Sequence, residues 1–497
     1  MTGAARELVD VAFAYEISTA GILHDGLNLA DMAHVLQQLD RGIIPRHEAV
    51  KLASVLLAAD AVPATEFGYD AALGEPYNSR ERVFSAALGD TAGWLHAGRP
   101  RREATRVAFR LRLRRDVCRL ILGTARLARA LARQAHEHRS TLFADHTYLQ
   151  QAQPSTIGHY FTSFAYPLLR DADRLVGAVR WLDASPGGAG CVNGSRLGTN
   201  RTDIATSLGF AHVITNTRDA MWQVDGLVQL ASAAASMACT QTSLAEDLEI
   251  WASSEFDYVD LAAGYTRASV LMPQKRNPYA LSMVRGTAGL LIGHLTGLLA
   301  VQKSPSARSD SLIFAYGEVP ALVDQARGMT ELMAGVVETL TINERRLRNE
   351  LDGGFTQATD VAEELMVRCG LDYRRAYHIA GRAVRALADD GKSGHQLTSA
   401  DIDAAACEVL GHTLSIGDDA LVAVLDPGSI VATRTAIGGA APGAIDAMVE
   451  DIERRVDELI ACAEADLARF ASAEAHVRTR TRQLAERPDP AHPDDHR

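Results

Sequence analysis

Three stretches of the chain carry apolar side chains at helical spacing. In the first, apolar residues recur at steps of three and four while arginines fall mostly outside that stripe; the apolar set is Leu113, Val117, Leu120, Ile121, Ala128, Leu131 and Ala132. A second, Ala- and Leu-rich run extends from about Asp219 to Trp251, and a third from Tyr279 to Val301. No alternating, strand-like pattern rivals these runs, and no repeat of about 20 to 50 residues occurs. The pattern predicts an all-α protein built on long helices.

The prolines leave room for long helices. None lies between Pro100 and Pro154, between Pro186 and Pro273, or between Pro320 and Pro427. Because proline costs about 3 kcal/mol inside a helix, we expect long helices in these three gaps. Glycine-rich breaks occur at residues 185–198, 352–354 and 437–439. The expected parts are an N-terminal helical domain (1–107), a central long-helix bundle (108–353), a C-terminal helical domain (354–483) and a disordered, Pro- and charge-rich tail (484–497).

Composition narrows the class of protein. The chain has 497 residues, enough for more than one core, and its apolar fraction of 47% is too high for disorder. A net charge of −12 disfavours a nucleic-acid-binding surface, and no uninterrupted apolar stretch reaches the length of about 18 residues that spans a membrane. The N-terminus lacks the pattern of a signal peptide. Six widely spaced cysteines fit reduced, mostly buried thiols, so we expect a cytoplasmic protein without nucleic-acid or membrane partners.

One irregular segment between two predicted helices carries groups suited to chemistry. Residues 267–278 read RASVLMPQKRNP, and the two prolines force a loop. Ser269, Lys275 and Asn277 supply a potential base, a cation and a hydrogen-bond donor. On composition alone, a solvated connection between helices is the simpler interpretation.

Several segments resemble the fumarase/aspartase superfamily, in a consistent order along the chain. The loop ASVLMPQKRNP resembles the GSSxMPxKxNP loop of that superfamily, and its MPQKxNP form is most similar to argininosuccinate lyases. Three further segments resemble GKLHTGRSR, THLQRAQP and NSxDA of the family: 93–101 (GWLHAGRPR), 147–154 (TYLQQAQP) and 216–220 (NTRDA). Residues 250–261, 358–360 and 425–442 extend the likeness, which covers about residues 20 to 470.

The resemblance implies a fold, a reaction and an assembly. The fold would be all-α, with five long helices per subunit in the twenty-helix core of a homotetramer whose active sites lie where three subunits meet. The reaction would be the anti β-elimination of a substituted succinate to release fumarate. The substrate would then be a small dicarboxylate, and the family's reaction requires no cofactor and no metal.

The resemblance also assigns roles to the loop residues. Ser269 would be the base, acting as an alkoxide whose pKa is lowered by loop amides and by Lys275. Lys275 and Asn277 would hold the carboxylate on which negative charge develops. Two positions depart from the family pattern: the loop glycine is Ala268 and the second serine is Val270.

Four further positions are substrate-binding candidates by resemblance. Arg101 matches an arginine that grips a substrate carboxylate, Asn216 matches a substrate-binding asparagine, and Met272 belongs to the matching loop. The family asparagine after Arg101 is Arg102 here, and the next residue, an aspartate in the family, is Glu103. The extra cation at position 102 indicates a more anionic substrate or is one of many solvated arginines.

The segment around residue 148 concerns the general acid. Thr147 and Gln150 match residues that bind a substrate carboxylate and orient the acid, although helix capping would explain them equally well. Tyr148 stands where the family has its histidine acid, and Tyr77 stands where argininosuccinate lyases have another histidine. Because a tyrosine with a pKa near 10 holds its proton tightly, Tyr148 is either the acid or a packing aromatic. Asp31 falls where the family has a serine that contacts the amino-acid end of argininosuccinate.

The segment that would recognise arginine is altered. Residues 307–320 (ARSDSLIFAYGEVP) stand where argininosuccinate lyases carry a YNRDLQEDK-like segment, and its tyrosine, glutamine and lysine are replaced. A site without hydrogen-bond partners for a polar part of a substrate no longer selects substrates that carry that part. We therefore expect a carbon–nitrogen lyase that releases fumarate from an N-substituted aspartate or a nitro- or hydrazino-succinate. Genuine argininosuccinate cleavage and a non-catalytic structural role are the alternatives.

Overall fold

A computed structural model describes residues 4–486 and confirms the all-α fold. The N-terminal region contains α1 (Arg6–Leu8), α2 (Ala14–Ser18), α3 (Ala20–Asp40), α4 (Arg46–Asp60) and α5 (Pro76–Leu88). Short π- or 3₁₀-helical segments lie at Val9–Phe13, Ala71–Leu73 and Gly89–His96.

The central region holds five long helices and short strands between them. In chain order its elements are α6 (Arg101–Glu137), β1 (Leu142–Thr147), β2 (Gln150–Thr156), α7 (Ile157–Leu182), β3 (Ala184–Ser185), α8 (Arg201–Ser207), β4 (His212–Val213), α9 (Thr217–Trp222), α10 (Asp225–Trp251), β5 (Val259–Asp260), β6 (Arg267–Ala268), β7 (Arg276–Asn277), α11 (Tyr279–Gln302), α12 (Asp310–Thr339) and β8 (Thr341–Ile342). The strands form four two-stranded sheets, of which β3–β4 is parallel and β1–β2, β5–β8 and β6–β7 are antiparallel.

The C-terminal region consists of shorter helices followed by one very long helix. These are α13 (Glu344–Gly353), α14 (Ala358–Cys369), α15 (Tyr373–Asp389), α16 (Ser399–Leu410), α17 (Asp418–Leu425), α18 (Pro427–Ala432) and α19 (Pro442–Glu486). Helices α14 to α17 enclose a small core of their own. Helix α19 returns to the bundle and packs against α4, α6 and α7.

Helix α6 is the central element of the bundle. It follows Pro100, whose ring suits the entry to a helix, and its predicted apolar stripe is buried. Its 37 residues give a length of about 54 Å at 1.5 Å per residue. Because α3, α7, α12 and α19 all pack on it, this helix organises both the N-terminal region and the bundle.

Three buried arginines on α6 attach the segment between α7 and α10 to the helix. Each guanidinium stacks on an aromatic ring at 3.9 to 4.8 Å; the pairs are Arg106 with Trp222, Arg110 with Trp181, and Arg114 with Phe210. The same guanidiniums donate hydrogen bonds to backbone carbonyls of residues 181, 184, 208, 209 and 221. Burial lowers the pKa of Arg110 to about 9 and that of Arg114 to about 10. These contacts hold residues 183–224 beside the start of α6.

Antiparallel packing defines two ends of the bundle. Trp181, at the end of α7, meets Arg110 near the start of α6. Trp251, at the end of α10, lies 5.8 Å between ring centres from Phe143, which follows the end of α6. The start of α6 and residues 183–224 therefore form what we call the first end. The β1–β2 hairpin and residues 252–278 form the second end.

Helix α11 confirms the predicted run from Tyr279 and exposes an apolar face. Met283, Leu290, Ile292 and Leu299 are between 45% and 59% exposed. Among residues 4–486, α11 is the one helix whose length and composition would suffice to cross a membrane, and 22% of its most apolar window is buried. Its other face packs against α10 and α12.

Two details of the helix prediction are wrong. Helix α10 begins at Asp225 instead of Asp219, because α9 ends at Trp222 and Gln223 takes an extended backbone while Arg110 binds its side-chain oxygen. Long helices also form outside the proline gaps, since α7 and α12 each contain a proline. The third gap, between Pro320 and Pro427, was expected to contain a long helix. After α12 ends, it contains only helices of 8 to 17 residues.

The domain limits stay predictions, and two elements cross them. Helix α6 runs through the limit placed between residues 107 and 108. Residues 484–486, assigned to the disordered tail, form the end of α19, because Leu484 is buried in the core. The rest of the predicted tail, residues 487–497, lies outside the described residues.

The cysteines are free, and their burial differs from the prediction. Cys118 is buried and Cys369 is half-buried, whereas the other four are exposed: Cys191, Cys239, Cys407 and Cys462. The expectation of mostly buried thiols is wrong because these four lie in a loop or on outward faces of α10, α16 and α19.

Candidate active site

The loop between β6 and β7 lies at the second end and carries Ser269. Ala268 pairs with Arg276, so residues 269–275 project as the tip of a hairpin. The Oγ of Ser269 accepts hydrogen bonds from the backbone amides of Leu271 and Met272 at 3.3 and 3.0 Å. Because two N–H donors on one oxygen favour its deprotonated form, the geometry suits a serine base.

The same tip positions the other three loop candidates. The amide of Ser269 donates to the carbonyl of Lys275 at 3.3 Å, and the amide of Lys275 donates to the carbonyl of Met272 at 3.0 Å. Nδ2 of Asn277 donates to the carbonyl of Arg267 at 2.9 Å. The Lys275 side chain is exposed. One short hairpin therefore brings together a hydroxyl, an ammonium and a carboxamide.

The loop tip presents apolar side chains to solvent. Val270 is fully exposed, Leu271 is 85% exposed and Met272 is 40% exposed. Val270 is the position at which the family has its second serine, so this chain replaces a hydroxyl with an apolar surface. Contiguous exposed apolar groups commonly mark a contact with a partner.

The β1–β2 hairpin brings Thr147, Tyr148 and Gln150 to the same end. Tyr148 and Leu149 have φ values of 54° and 59°, the two left-handed positions of a type I′ turn. Thr147 and Gln150 lie in the two strands and pair with each other across the hairpin, so neither residue caps a helix. Packing inside its own chain does not explain Tyr148, which is 99% exposed.

Arg101 lines a cleft of about 610 Å³ at the first end. Its guanidinium lies 3.6 Å from the carboxylate of Glu75. The guanidinium of Arg102 lies 3.8 Å from Glu75 and 3.7 Å from Glu16, and its side chain is 27% exposed. Two carboxylates thus lie near Arg102, and its role in substrate binding stays a prediction.

Asn216 lies at the first end as well. Its side chain caps α9 by accepting a hydrogen bond from the amide of Asp219 at 3.0 Å. The adjacent Thr217 donates through Oγ1 to the carbonyl of Val192 at 3.1 Å. Val192 follows Cys191, which lines the cleft beside Arg101. One loop thus connects the two binding candidates of the first end.

Asp31 and Tyr77 are buried behind this cleft and do not reach its surface. The Tyr77 hydroxyl donates to Asp31 at 2.7 Å, and Arg80 and Arg99 bind the same carboxylate at 2.8 and 2.6 Å. Burial acts to raise the pKa of Asp31, but the guanidiniums of Arg99 and Arg80 outweigh it and hold that pKa below its ordinary value. Arg99 also lines the cleft, so this arginine connects the buried cluster to the cleft wall.

Glu103 is the site residue whose contacts sequence reasoning missed. It is 2% exposed and accepts hydrogen bonds from the amides of Gly188 and Gly190 at 2.6 and 2.7 Å. Burial raises its pKa to about 7, against the opposing effects of the two amides, Arg99 and Arg201. The change from the family aspartate to Glu103 was visible in the sequence, but nothing local indicates a partner 85 residues away.

The two groups of candidate residues lie at opposite ends of the chain's bundle. Helix α6, about 54 Å long, separates Arg101 from the hairpin that carries Tyr148. Helix α10 spans about 39 Å between the Asn216 region and the segment that leads to Ser269. A single chain therefore cannot bring these groups into one site.

Comparisons with known proteins show the family to which the chain belongs. The family model described as Lyase matches residues 60–293, and the one described as Argininosuccinate lyase C-terminal matches residues 355–432. The argininosuccinate lyase of Chelativorans sp. (strain BNC1) is 32% identical over 431 residues, which cover 86% of this chain and 89% of that protein. That of Mycobacterium leprae (strain TN) is 37% identical over 354 residues, which cover 71% and 73%.

The fold has solved relatives too. The crystal structure of EDDS lyase in complex with formate matches with a TM-score of 0.88 at 24% identity, covering 98% of this chain and 97% of that one. At that identity the match concerns the fold, whereas the family follows from the sequence relatives. The chain belongs to the fumarase/aspartase superfamily, within the group of argininosuccinate lyase-like carbon–nitrogen lyases that form fumarate.

Proposed function

We propose that this enzyme is a homotetrameric, cofactor-independent lyase that eliminates a nitrogen leaving group from an N-substituted aspartate or a nitro- or hydrazino-succinate. The observation that carries the proposal is the Ser269 tip, where two backbone amides stabilise the hydroxyl oxygen and Lys275 and Asn277 stand on the same loop. That arrangement supplies what the elimination requires at its first step.

The first step is removal of a proton from the carbon next to a carboxylate. The resulting charge spreads onto a group that is already negative, so fixed donors and cations must meet it there. The Ser269 alkoxide takes the proton, while Lys275 and Asn277 hold the carboxylate on which charge accumulates. Tyr148 donates a proton to the departing group from the tip of the β1–β2 hairpin, at nitrogen for an amine or a hydrazine and at oxygen for nitrite. The carbon–nitrogen bond then breaks and fumarate forms.

Several chains must share each site. Arg101 and Asn216 belong to the first end, and Tyr148 and Ser269 belong to the second end, about 40 Å away along α10. The exposed apolar tip at Val270 and the exposed apolar face of α11 both support association of identical chains. In the proposed tetramer, Arg101 and Asn216 belong to one chain and the Ser269 tip belongs to another. Arg101 and Asn216 bind the substrate carboxylate that lies farther from that tip.

The leaving group differs from arginine in this proposal. Residues 307–320 lack the tyrosine, glutamine and lysine expected for the arginine portion. From Asp310 onwards this segment belongs to α12, and Leu312 and Tyr316 are buried in it, the latter against Phe109 at 5.0 Å. The cleft of the first end combines Arg101 with nearby Glu75 and with Glu81, which suits a substrate that carries both signs of charge.

Genuine argininosuccinate cleavage is the second candidate. It is favoured by the relatives named argininosuccinate lyase at 32% and 37% identity. A non-catalytic structural role is the third, supported by the loss of two family histidines and opposed by the intact Ser269, Lys275 and Asn277.

One panel separates the three candidates. The purified protein is incubated with argininosuccinate and, in the reverse direction, with fumarate plus amines, hydrazine, nitrite or guanidines, and fumarate is followed by its ultraviolet absorbance. The proposal expects fumarate consumption with an amine, hydrazine or nitrite and a much slower reaction with argininosuccinate. Fast cleavage of argininosuccinate establishes the second candidate. No turnover with any compound contradicts both enzymatic candidates.

A further inference from the structure

The loop between β3 and α8 is held by a single buried carboxylate. Glu103, in the first turn of α6, accepts the backbone amides of Gly188 and Gly190 at 2.6 and 2.7 Å. One oxygen of the carboxylate receives each amide, so both oxygens are engaged. The side chain is 2% exposed, and water does not compete for these bonds.

The backbone path of this loop depends on that anchor. Gly188 and Gly190 have φ values of 72° and 64°, in the left-handed region that glycine tolerates best. A Cβ at Gly190 would meet the carbonyl oxygen of Gly194 at 2.7 Å, so the loop folds tightly back on itself. Backbone amides that point inward at such a turn need an acceptor, because a buried N–H without a partner is costly.

The anchored loop connects both binding candidates of the first end. Gly190 and Cys191 line the cleft together with Arg101, which precedes Glu103 by two residues on the same helix. Val192 accepts the hydrogen bond from Thr217, next to Asn216. Displacement of residues 187–194 would therefore move the cleft wall beside Arg101 and the start of α9 together.

We propose that Glu103 is a positioning residue whose ionised carboxylate holds residues 187–194 in place, and that it thereby sets the affinity of the first-end half-site for a dicarboxylate. This inference rests on the proposed function for the identity of the ligand. That Glu103 holds the loop is inferred from the two hydrogen bonds and does not depend on the proposed function.

The ionisable carboxylate of Glu103 makes the half-site sensitive to pH. The charged groups facing Glu103 are Arg99, from the loop before α6, and Arg201, from α8; both keep their charge, so Glu103 is the group that titrates. Its pKa of about 7 places that titration near neutrality. Protonation makes one oxygen an O–H donor and a poorer acceptor, so one glycine amide loses its charged partner while Glu103 itself stays buried. Residues 187–194 are therefore held more tightly above about pH 7 than below it, although the cost of burying the charge lowers the stability of the whole fold over the same range.

The test combines two measurements on the full-length protein at about pH 8 and about pH 6. Fumarate is the binding probe, titrated by calorimetry, and hydrogen exchange of residues 187–194 is followed by mass spectrometry with correction for the chemical exchange rate. The variants are Glu103→Gln and Glu103→Asp. Glu137→Gln, the same chemical change at an exposed position near the other end of α6, is the matched control.

The expected result is a difference in pH profile. Between the two pH values, wild type and Glu137→Gln lose fumarate affinity by about tenfold, the loss expected when a hydrogen bond to a charged acceptor becomes one to a neutral acceptor. Glu103→Gln binds weakly at both pH values and exchanges residues 187–194 faster already at the higher pH. Glu103→Asp restores a pH-dependent affinity in part, because it keeps an ionisable carboxylate.

Other outcomes overturn the inference. Equal affinity and equal exchange in wild type and Glu103→Gln would show that the carboxylate does not hold the loop. Changed exchange with unchanged fumarate affinity would overturn its effect on the half-site. If wild type does not bind fumarate at all, the proposed function fails, and the wild-type exchange rates at the two pH values still decide whether Glu103 holds residues 187–194.

Discussion

Mixing two inactive variants should restore activity, because the structure separates the candidate site residues over two ends of the chain. Arg101→Ala removes a cation from the first end, and Ser269→Ala removes the base from the second. Each variant should be inactive by itself, because every site in a uniform oligomer carries the same defect. The pair tests whether a site draws its two ends from different chains.

The size of the recovery follows from random assembly. After the two variants are dissociated and reassembled in equal amounts, half of the sites receive an intact Arg101, and half of those receive an intact Ser269. About one quarter of the wild-type rate should therefore return when the two ends come from different chains of a symmetric oligomer. If both residues came from the same chain, no site would be intact and no activity would return.

The assay is fumarate formation or consumption with the substrate found in the panel, and native mass spectrometry verifies that mixed oligomers form. Ser269→Ala mixed with Lys275→Ala is the matched control, since both residues belong to one loop and every site keeps one defect. Absence of recovery for Arg101→Ala with Ser269→Ala, in verified mixed oligomers, would refute the shared-site reasoning.

Three further predictions concern stability, each measured by denaturant unfolding. Gly26→Ala should lower the unfolding free energy by about 1–3 kcal/mol, because its Cβ would meet the backbone of Ala108 at 2.6 Å. Gly21→Ala, on the same helix, is the control: its Cβ would enter open space, so it should raise the unfolding free energy by up to about 1 kcal/mol. Arg110→Met should cost about 1–3 kcal/mol by leaving two carbonyls unpaired, and no change would contradict its anchoring role. The pKa of Glu103 is about 7 in the folded protein and about 4.5 in the unfolded chain. As the pH rises from 4.5 to 7, the unfolding free energy of the wild type should therefore fall by up to about 3 kcal/mol relative to that of Glu103→Gln. Parallel curves of unfolding free energy against pH for the two proteins would refute the pKa shift.

The helices could be predicted because their signals are local. The apolar stripe from Leu113 to Ala132 and the run beginning at Tyr279 each lie within one helix, and periodicity reports such helices directly. The break before Asp225 could not be predicted, because Arg110, more than 100 residues earlier, holds Gln223 in an extended conformation. The type I′ turn at Tyr148 was also hidden, since Tyr-Leu lacks the asparagine or glycine that usually indicates it.

Motif resemblance could name candidate site residues but could not show how they are arranged in space. Motif resemblance named Ser269, Arg101 and Asn216, but their separation by long helices follows only from the packing of the bundle. Burial of Asp31 beneath two arginines, and the bonds of Glu103 to a distant glycine loop, depend on contacts between segments far apart in the chain. Such contacts leave no trace in local spacing, so a single sequence cannot reveal them.

The most direct test of the central claim is the rate of fumarate formation by Ser269→Ala, compared with Ser254→Ala, which changes another exposed serine at the second end. Ser269→Ala should lose at least about 100-fold in rate, the usual contribution of a positioned base, while the oligomer and fumarate binding persist. Ser254→Ala should retain the wild-type rate. A near-wild-type rate in Ser269→Ala would contradict the account, because the loop would then not supply the base.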